Sequence, residues 1–206
     1  MSFRALREKS FFSLQDATFK LNHYQLSIIF YFSFQEWYFG SLGENVATEF
    51  WDRIAEQNPY LHEHVSRLLV SFTHWTGKGL IETDAPMVER ARRLFYAPFV
   101  VLSHNTAPDP ILNYANRQAL DLFELTWEEL IALPSRKTAE PGERKERERL
   151  LATVSRQGYI DDYRGVRISK NGRRFLIERA TVWNLLDDAG AFYGQAATFS
   201  HWKFLD

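Results

Sequence analysis

The chain has 206 residues, with 25 Lys plus Arg against 26 Asp plus Glu and no cysteine. That length suits one core with an appended segment better than two full domains, and it buries a core without staples. The balanced charge gives no global field for nucleic acid or an anionic membrane, and the absence of cysteine excludes disulfides, thiolate metal sites and thioether-linked cofactors.

Residues 1–43 hold 12 of the 32 Phe, Trp and Tyr residues. Their most apolar stretch, Leu26 to Phe34, is interrupted by Ser27 and Ser33 and is well short of the roughly 20 residues a membrane span needs. Glu8 and Asp16 interrupt the basic start, and no small-residue cleavage site follows. The segment is expected to be an aromatic-rich extension of unassigned role, and the chain is expected to be cytoplasmic without a transmembrane segment.

Residues 44–96 form a helical segment. Asn58 and Pro59 predict a helix start and Gly77 a stop, and Leu61, Val65, Leu68, Leu69, Phe72 and Trp75 recur at three and four residues along one face. His62 and His64 lie on nearly opposite sides of that helix, so they cannot share a metal ion, and both are expected at the surface or its boundary. A second helix is predicted over Ala85 to Phe95, opened by Asp84 and Pro86 and stopped before Pro98.

From residue 97 the pattern changes. Phe99 to Leu102 and Ile111 to Ala115 predict a pair of strands around a turn-rich loop. Asn116 caps a short helix, and Thr126 with Glu129 forms a capping box for the next. Gly142 to Gln157 predicts a charged helix with a thin apolar side of Leu150, Leu151 and Val154, so Glu143 to Arg149 is expected to be solvated. Three strands follow: Ile160 to Ser169, Phe175 to Leu186 and Phe192 to Trp202, joined by turns at Lys170-Asn171-Gly172 and Asp187 to Gly190. Two strands, short helices and three strands close into one five-stranded antiparallel sheet with the helices on one face, an α+β class.

That order, with Ile111-Leu112-Asn113-Tyr114-Ala115-Asn116 followed by Leu122-Phe123-Glu124-Leu125-Thr126-Trp127-Glu128-Glu129-Leu130, resembles the opening of a PAS domain. Leu133 to Arg136, Thr138 to Pro141, Ile160 to Tyr163, Gly165 to Ile168, Ile177 to Trp183 and Phe199 to Trp202 are more narrowly similar to the MEKHA domain family, over about residues 65–202. The resemblance implies a PAS-like sensory or interaction fold, found in small bacterial and algal proteins and at the carboxyl end of plant homeodomain leucine-zipper regulators.

A PAS fold can hold a flavin, a haem or a small metabolite between its sheet and helices. The photochemical flavin adduct needs a cysteine, which is absent, and no histidine lies between His104 and His201 to serve as a haem axial ligand from the helices. The cofactor is therefore left unassigned. Polar residues expected to line a ligand pocket are Asn113 and Asn116, Arg136 and Thr138, Arg179 and Thr181, and Gln195 and Thr198.

Strand alternation puts Phe175, Ile177, Arg179, Thr181 and Trp183 on one face and Leu176, Glu178, Ala180, Val182 and Asn184 on the other. Both faces are largely apolar, so both are expected to be covered, one by the short helices and one by the Leu61 to Trp75 helix or a second subunit, with Trp183 or Val182 as anchor. Arg179 in such a strand needs an acidic partner, with Asp161 and Asp162 as candidates, or an anionic ligand. A salt-bridged network of Arg179, Arg136 and these aspartates is the purely structural alternative.

The function expected is a sensory or interaction module that binds a small ligand, dimerises, or does both. An enzyme reading, a small hydrolase or isomerase, would pair His104 with Asp161 or Asp162. The neighbours Ser103-His104 and Ser200-His201 are expected to point to opposite faces. A third reading is an adaptor with a filled core.

Overall fold

The computed structural model describes residues 44–58, 61–81, 83–140, 142 and 144–205. By contacts the chain divides between Phe50 and Trp51 into two units, Met1–Phe50 and Trp51–Asp206. Everything expected of residues 1–43, and of Pro59, lies outside the described residues. The second unit carries the fold.

Helix α1 (Glu44–Gln57) is followed by α2 (Leu61–Thr76) and α3 (Met87–Phe95). The Asn58 side chain donates back to Ile54 O at 2.8 Å, so it closes α1; only its backbone carbonyl reaches forward, accepting from Leu61 N. On α2 the buried residues are Leu61, His64, Val65, Leu68, Ser71 and Phe72. His64 therefore sits inside, against the surface position expected of it, because it lies three residues after Leu61 and four before Leu68 on the packed stripe.

The sheet order is β2 (Leu112–Ala115), β1 (Val100–His104), β5 (Phe192–Phe199), β4 (Arg174–Leu186), β3 (Tyr159–Ile168), with every pairing antiparallel. The predicted last strand breaks at Ser200, and its end, β6 (His201–Phe204), continues alongside β4. Between β2 and β3 come α4 (Arg117–Phe123), α5 (Trp127–Leu130), a 3-10 turn (Ser135–Thr138) and α6 (Arg144–Gln157). The signals that place these elements are visible in their bonds: Asn116 accepts from Ala119 N, Thr126 and Glu129 form the reciprocal capping box, and Gly172 takes φ 86° in the Asn-Gly turn.

Strand β4 departs from simple alternation. Arg179 adopts φ 53°, a left-handed bulge opposite an irregular stretch of β3 in which Asp162 has φ 58°. The bulge shifts the facing by one residue. Phe175 meets Phe123 of α4 edge to face, and beyond the bulge Asn184 reaches Val154 of α6, so both look toward the short helices. Trp183 instead meets Phe72 of α2, ring centroids 5.0 Å apart. The expected sharing of one face by Phe175, Ile177 and Trp183 is thus corrected, whereas the expected cover of the second face by α2 is present, with Trp183 as its anchor.

The two layers meet at Gly158, which ends α6 at φ 91°. A Cβ there would stand 2.2 Å from the Trp75 ring, and the Trp75 indole N–H donates to Asn184 O at 2.9 Å. Helix α2 is thereby pinned to the strand that also anchors α6.

Candidate functional site

Between the sheet and α6 lies a cavity of ≈ 60 Å³. Its walls are largely apolar, including Leu102, Leu112, Phe123, Leu150, Leu151, Ile177, Val182 and Phe199. Set into them are the polar groups of His104, Thr138, Arg147, Tyr163, Arg167 and Gln195.

Three of these are already committed. Thr138 donates to Ser135 O at 2.8 Å. The Gln195 amide donates to Leu151 O, Ser155 Oγ and Asn184 Oδ1, which ties β5 to α6 and β4. Arg167, 8% exposed, donates to Val166 O and to Tyr163 Oη, with its guanidinium 5.4 Å from the Tyr163 ring centroid.

The others are not. His104 Nδ1 lies 2.9 Å from Asn105 O; a carbonyl only accepts, so Nδ1 carries the proton and Nε2 presents a lone pair. That Nε2 is buried with no hydrogen-bond partner among the described residues. Burial lowers the His104 pKa to about 4, against the opposing pull of the Asn105 carbonyl, so the ring is neutral at pH 7. Burial, and next the Arg167 charge, lower Arg147 to about 10, which leaves it a cation at pH 7. Among the described residues, no carboxylate comes within 4.0 Å of Arg147 or Arg167.

Of the eight residues expected to line a pocket, the structure brings Thr138 and Gln195 to this cavity. Asn113 lies on the other side of the sheet, accepting from Ser103 Oγ at 2.7 Å. Asn116 is fully buried and spends its amide on Val101 N, Ala119 N and Phe99 O. Thr181 donates to Asp161, and Thr198 stands opposite both Thr181 and Val101. Arg136 forms a two-pronged pair with Asp109 at 2.9 Å on the surface.

Arg179 is exposed at its bulge, with no carboxylate within 4.0 Å among the described residues, so neither the buried pair with Asp161 or Asp162 nor the wider salt-bridged network forms. The acid–base pair of the enzyme reading is likewise not assembled: both aspartates are exposed, and neither reaches the cavity that His104 enters. Ser103 and His104 do face apart, but Ser200 Oγ lies 2.9 Å from His201 Nδ1, because Ser200 sits in the bend between β5 and β6 and escapes strand alternation.

Arg147 and Arg167 are not among the residues expected to line a pocket. Arg147 belongs to the run expected to be solvated, yet it precedes Leu150, Leu151 and Val154 by three, four and seven residues and so shares their inward stripe. Arg167 lies directly opposite Phe175, an inward residue of β4, which fixes its side of the sheet.

An antiparallel sheet in the order β2-β1-β5-β4-β3, extended by β6 alongside β4 and with short helices over one face, is a PAS-like domain. The chain belongs to the MEKHLA family, whose domain model matches residues 62–204; the family takes this spelling in place of the MEKHA used above. Similar curated proteins are the homeobox-leucine zipper protein ATHB-9 of Arabidopsis thaliana, 31% identical over 50% of this chain, and homeobox-leucine zipper protein HOX32 of Oryza sativa subsp. indica, 24% identical over 66%. The match spans 12% and 16% of those two proteins' own lengths.

Among solved structures, a PAS domain from Colwellia psychrerythraea aligns with TM-score 0.49 at 16% identity, covering 58% of this chain and 96% of that one. An RNA-binding Light-Oxygen-Voltage receptor aligns with TM-score 0.47 at 21% identity, covering 63% and 35%. The fold assignment stands on the strand order and the family match.

A flavin does not fit this cavity as shaped. A water occupies about 10–15 Å³ on the same measure, so the space holds about four to six waters. Among the described residues there is no group of three His, Asp or Glu disposed to hold a metal ion, and no helix long and apolar enough to cross a membrane.

Proposed function

We propose that this domain is a sensory module that takes a small polar molecule into the cavity between α6 and the sheet. The observation that carries this reading is the buried, unpartnered Nε2 of His104 on the cavity wall. Buried polar groups in folded proteins are nearly always hydrogen-bonded, and an acceptor left open at a cavity is a place for a ligand's donor.

A route from the cavity to the opposite surface supports a sensing role. The Asn184 side chain binds α6 through Val154 O and meets Gln195, while its backbone carbonyl holds Trp75 of α2. A ligand that shifts α6 therefore acts on the strand position that seats α2. Self-association through α2 is part of the proposal, motivated by Val70, 66% exposed on that helix. Light scattering of the full chain with and without Val70→Asp tests it; an unchanged mass excludes a dimer through this face.

The ligand reading is tested by thermal-shift measurements on the full chain against panels of neutral, cationic and anionic metabolites. Ala197→Leu, which places a larger side chain on the cavity wall, is the control, with Ala197→Val as the milder filling. At least one compound is expected to raise the melting midpoint of the wild type and leave the filled variants unmoved. Equal shifts in both, or none in any panel, refute the reading.

A further inference from the structure

Resting on that reading, we infer that the ligand is a short hydroxycarboxylate, its carboxylate held by Arg147 and Arg167 and its hydroxyl donating to His104 Nε2. Three independent features of the cavity define this chemistry.

The first is charge. Two guanidiniums line one small space, and no carboxylate of the described residues comes within 4.0 Å of either, Glu148 acting on Arg147 only from farther off. Each guanidinium has five N–H donors, and the bonds to Val166 O and Tyr163 Oη use only two of those on Arg167. The open donors suit an oxyanion, which Arg grips with parallel N–H bonds.

The second is the sign of the remaining polar group. His104 Nε2 is an acceptor, because the ring's one proton is engaged with Asn105 O. An anion made only of acceptor oxygens cannot satisfy it, so the ligand needs an O–H as well as a charge.

The third is size and lining. A volume of ≈ 60 Å³ admits a ligand of only a few heavy atoms, and Leu102, Leu151 and Val182 offer it apolar wall. Inorganic phosphate would leave that wall facing a polar surface, whereas a two- to four-carbon acid places its hydrocarbon part there. Glycolate, lactate and 2-hydroxybutyrate are the probes.

The same arrangement predicts an unusual response to substitution. Arg147 makes no hydrogen bond or ion pair with the described residues and faces a second cation, so in the empty protein its charge is a burden. Arg147→Met is expected to raise the melting midpoint of the ligand-free chain by a few degrees while weakening binding at least about tenfold, the loss for a charge-assisted bond. A residue that merely braced the fold would do the opposite.

The experiment is isothermal titration of the full chain with the three acids, with propionate, with lactamide and with inorganic phosphate, alongside melting curves of wild type, Arg147→Met and Arg147→Gln. The acids are expected to bind, lactamide at least about tenfold more weakly for want of charge, and propionate about tenfold more weakly for want of the hydroxyl. No binding by any of the three acids, lactamide or phosphate binding as tightly as lactate, or unaltered lactate affinity in both Arg147 variants overturns the inference. If the metabolite panels yield only neutral or cationic ligands blocked by Ala197→Leu, the cavity reading stands and this inference alone falls.

Discussion

The two faces of the sheet each bury a neutral histidine, and they use it differently. Under α2, His64 Nε2 lies 2.8 Å from Ser103 Oγ, whose own proton goes to Asn113, so His64 is the donor. Its Nδ1 faces Tyr193 Oη at 3.5 Å. On the helix side, His104 has a partner for one nitrogen and none for the other. Burial lowers both pKa values to about 4. The difference teaches that burial and protonation state alone do not mark a ligand site; an unfilled valence facing an open space does. Tyr114 Oη and Trp183 Nε1 are also buried and unpartnered, but neither residue lines the cavity, which gathers its open acceptor beside two cations.

Acid is expected to produce the largest effect, and it treats the two faces alike. Each histidine has a folded pKa of about 4 against 6.5 for the free side chain. As pH falls below 6.5 the unfolded chain takes up protons that the folded chain refuses, so stability, complete above that value, is lost progressively down to pH 4. At pH 5 each site accounts for about 2 kcal/mol. Urea midpoints at pH 7.5 and pH 5 should show this loss, and His64→Gln and His104→Gln should each remove roughly half of the histidine part. A pH-independent midpoint between 7.5 and 5 would show that the histidines are not buried neutral.

The next test separates the faces. Ser103→Ala leaves the His64 donor and the Asn113 carbonyl without their partner and should cost about 1–3 kcal/mol. His104→Leu gives up the single bond from Nδ1–H to Asn105 O together with an acceptor that had no partner, and it fills apolar space, so its cost should be about 1 kcal/mol in the ligand-free chain, below that of Ser103→Ala. Equilibrium unfolding of both variants decides the matter: if His104→Leu is the more damaging, its imidazole braces the fold and the contrast between the faces collapses.

Much of the fold was legible because its signals are local. Asn116, Thr126 with Glu129, and Asn171-Gly172 each satisfy backbone groups within a few residues of themselves, so short patterns fixed short elements. The α2 stripe and its docking on the sheet followed from periodicity and from an apolar β4. The cavity was less legible. Its polar lining does not follow from the polar positions of strands and loops, since Asn113, Thr181 and Thr198 face away from α6. Arg147 was hidden by its charged neighbours, although its spacing to Leu150, Leu151 and Val154 was available. Arg179 misled for a physical reason: alternation predicts faces only while the backbone stays extended, and a single left-handed residue reverses every side chain beyond it.

That residue gives the smallest expected effect and bears on why the faces differ at all. The bulge lets Ile177 and Val182, five positions apart, both line the cavity, while Trp183 turns to α2. Left-handed backbone costs an L-residue about 1–2 kcal/mol, which glycine avoids at the expense of greater freedom in the unfolded chain. The Arg179 side chain is exposed and makes no ion pair among the described residues, so nothing of it offsets that strain. Arg179→Gly should therefore stabilise the fold by about 0.5–1 kcal/mol, and Arg179→Ala should be nearly neutral, with ligand binding unchanged in both. Denaturant midpoints and the lactate titration measure this. A glycine variant that loses stability or affinity would mean that the guanidinium itself holds the bulge, and that the division of β4 between cavity and α2 depends on a side chain contact rather than on backbone geometry.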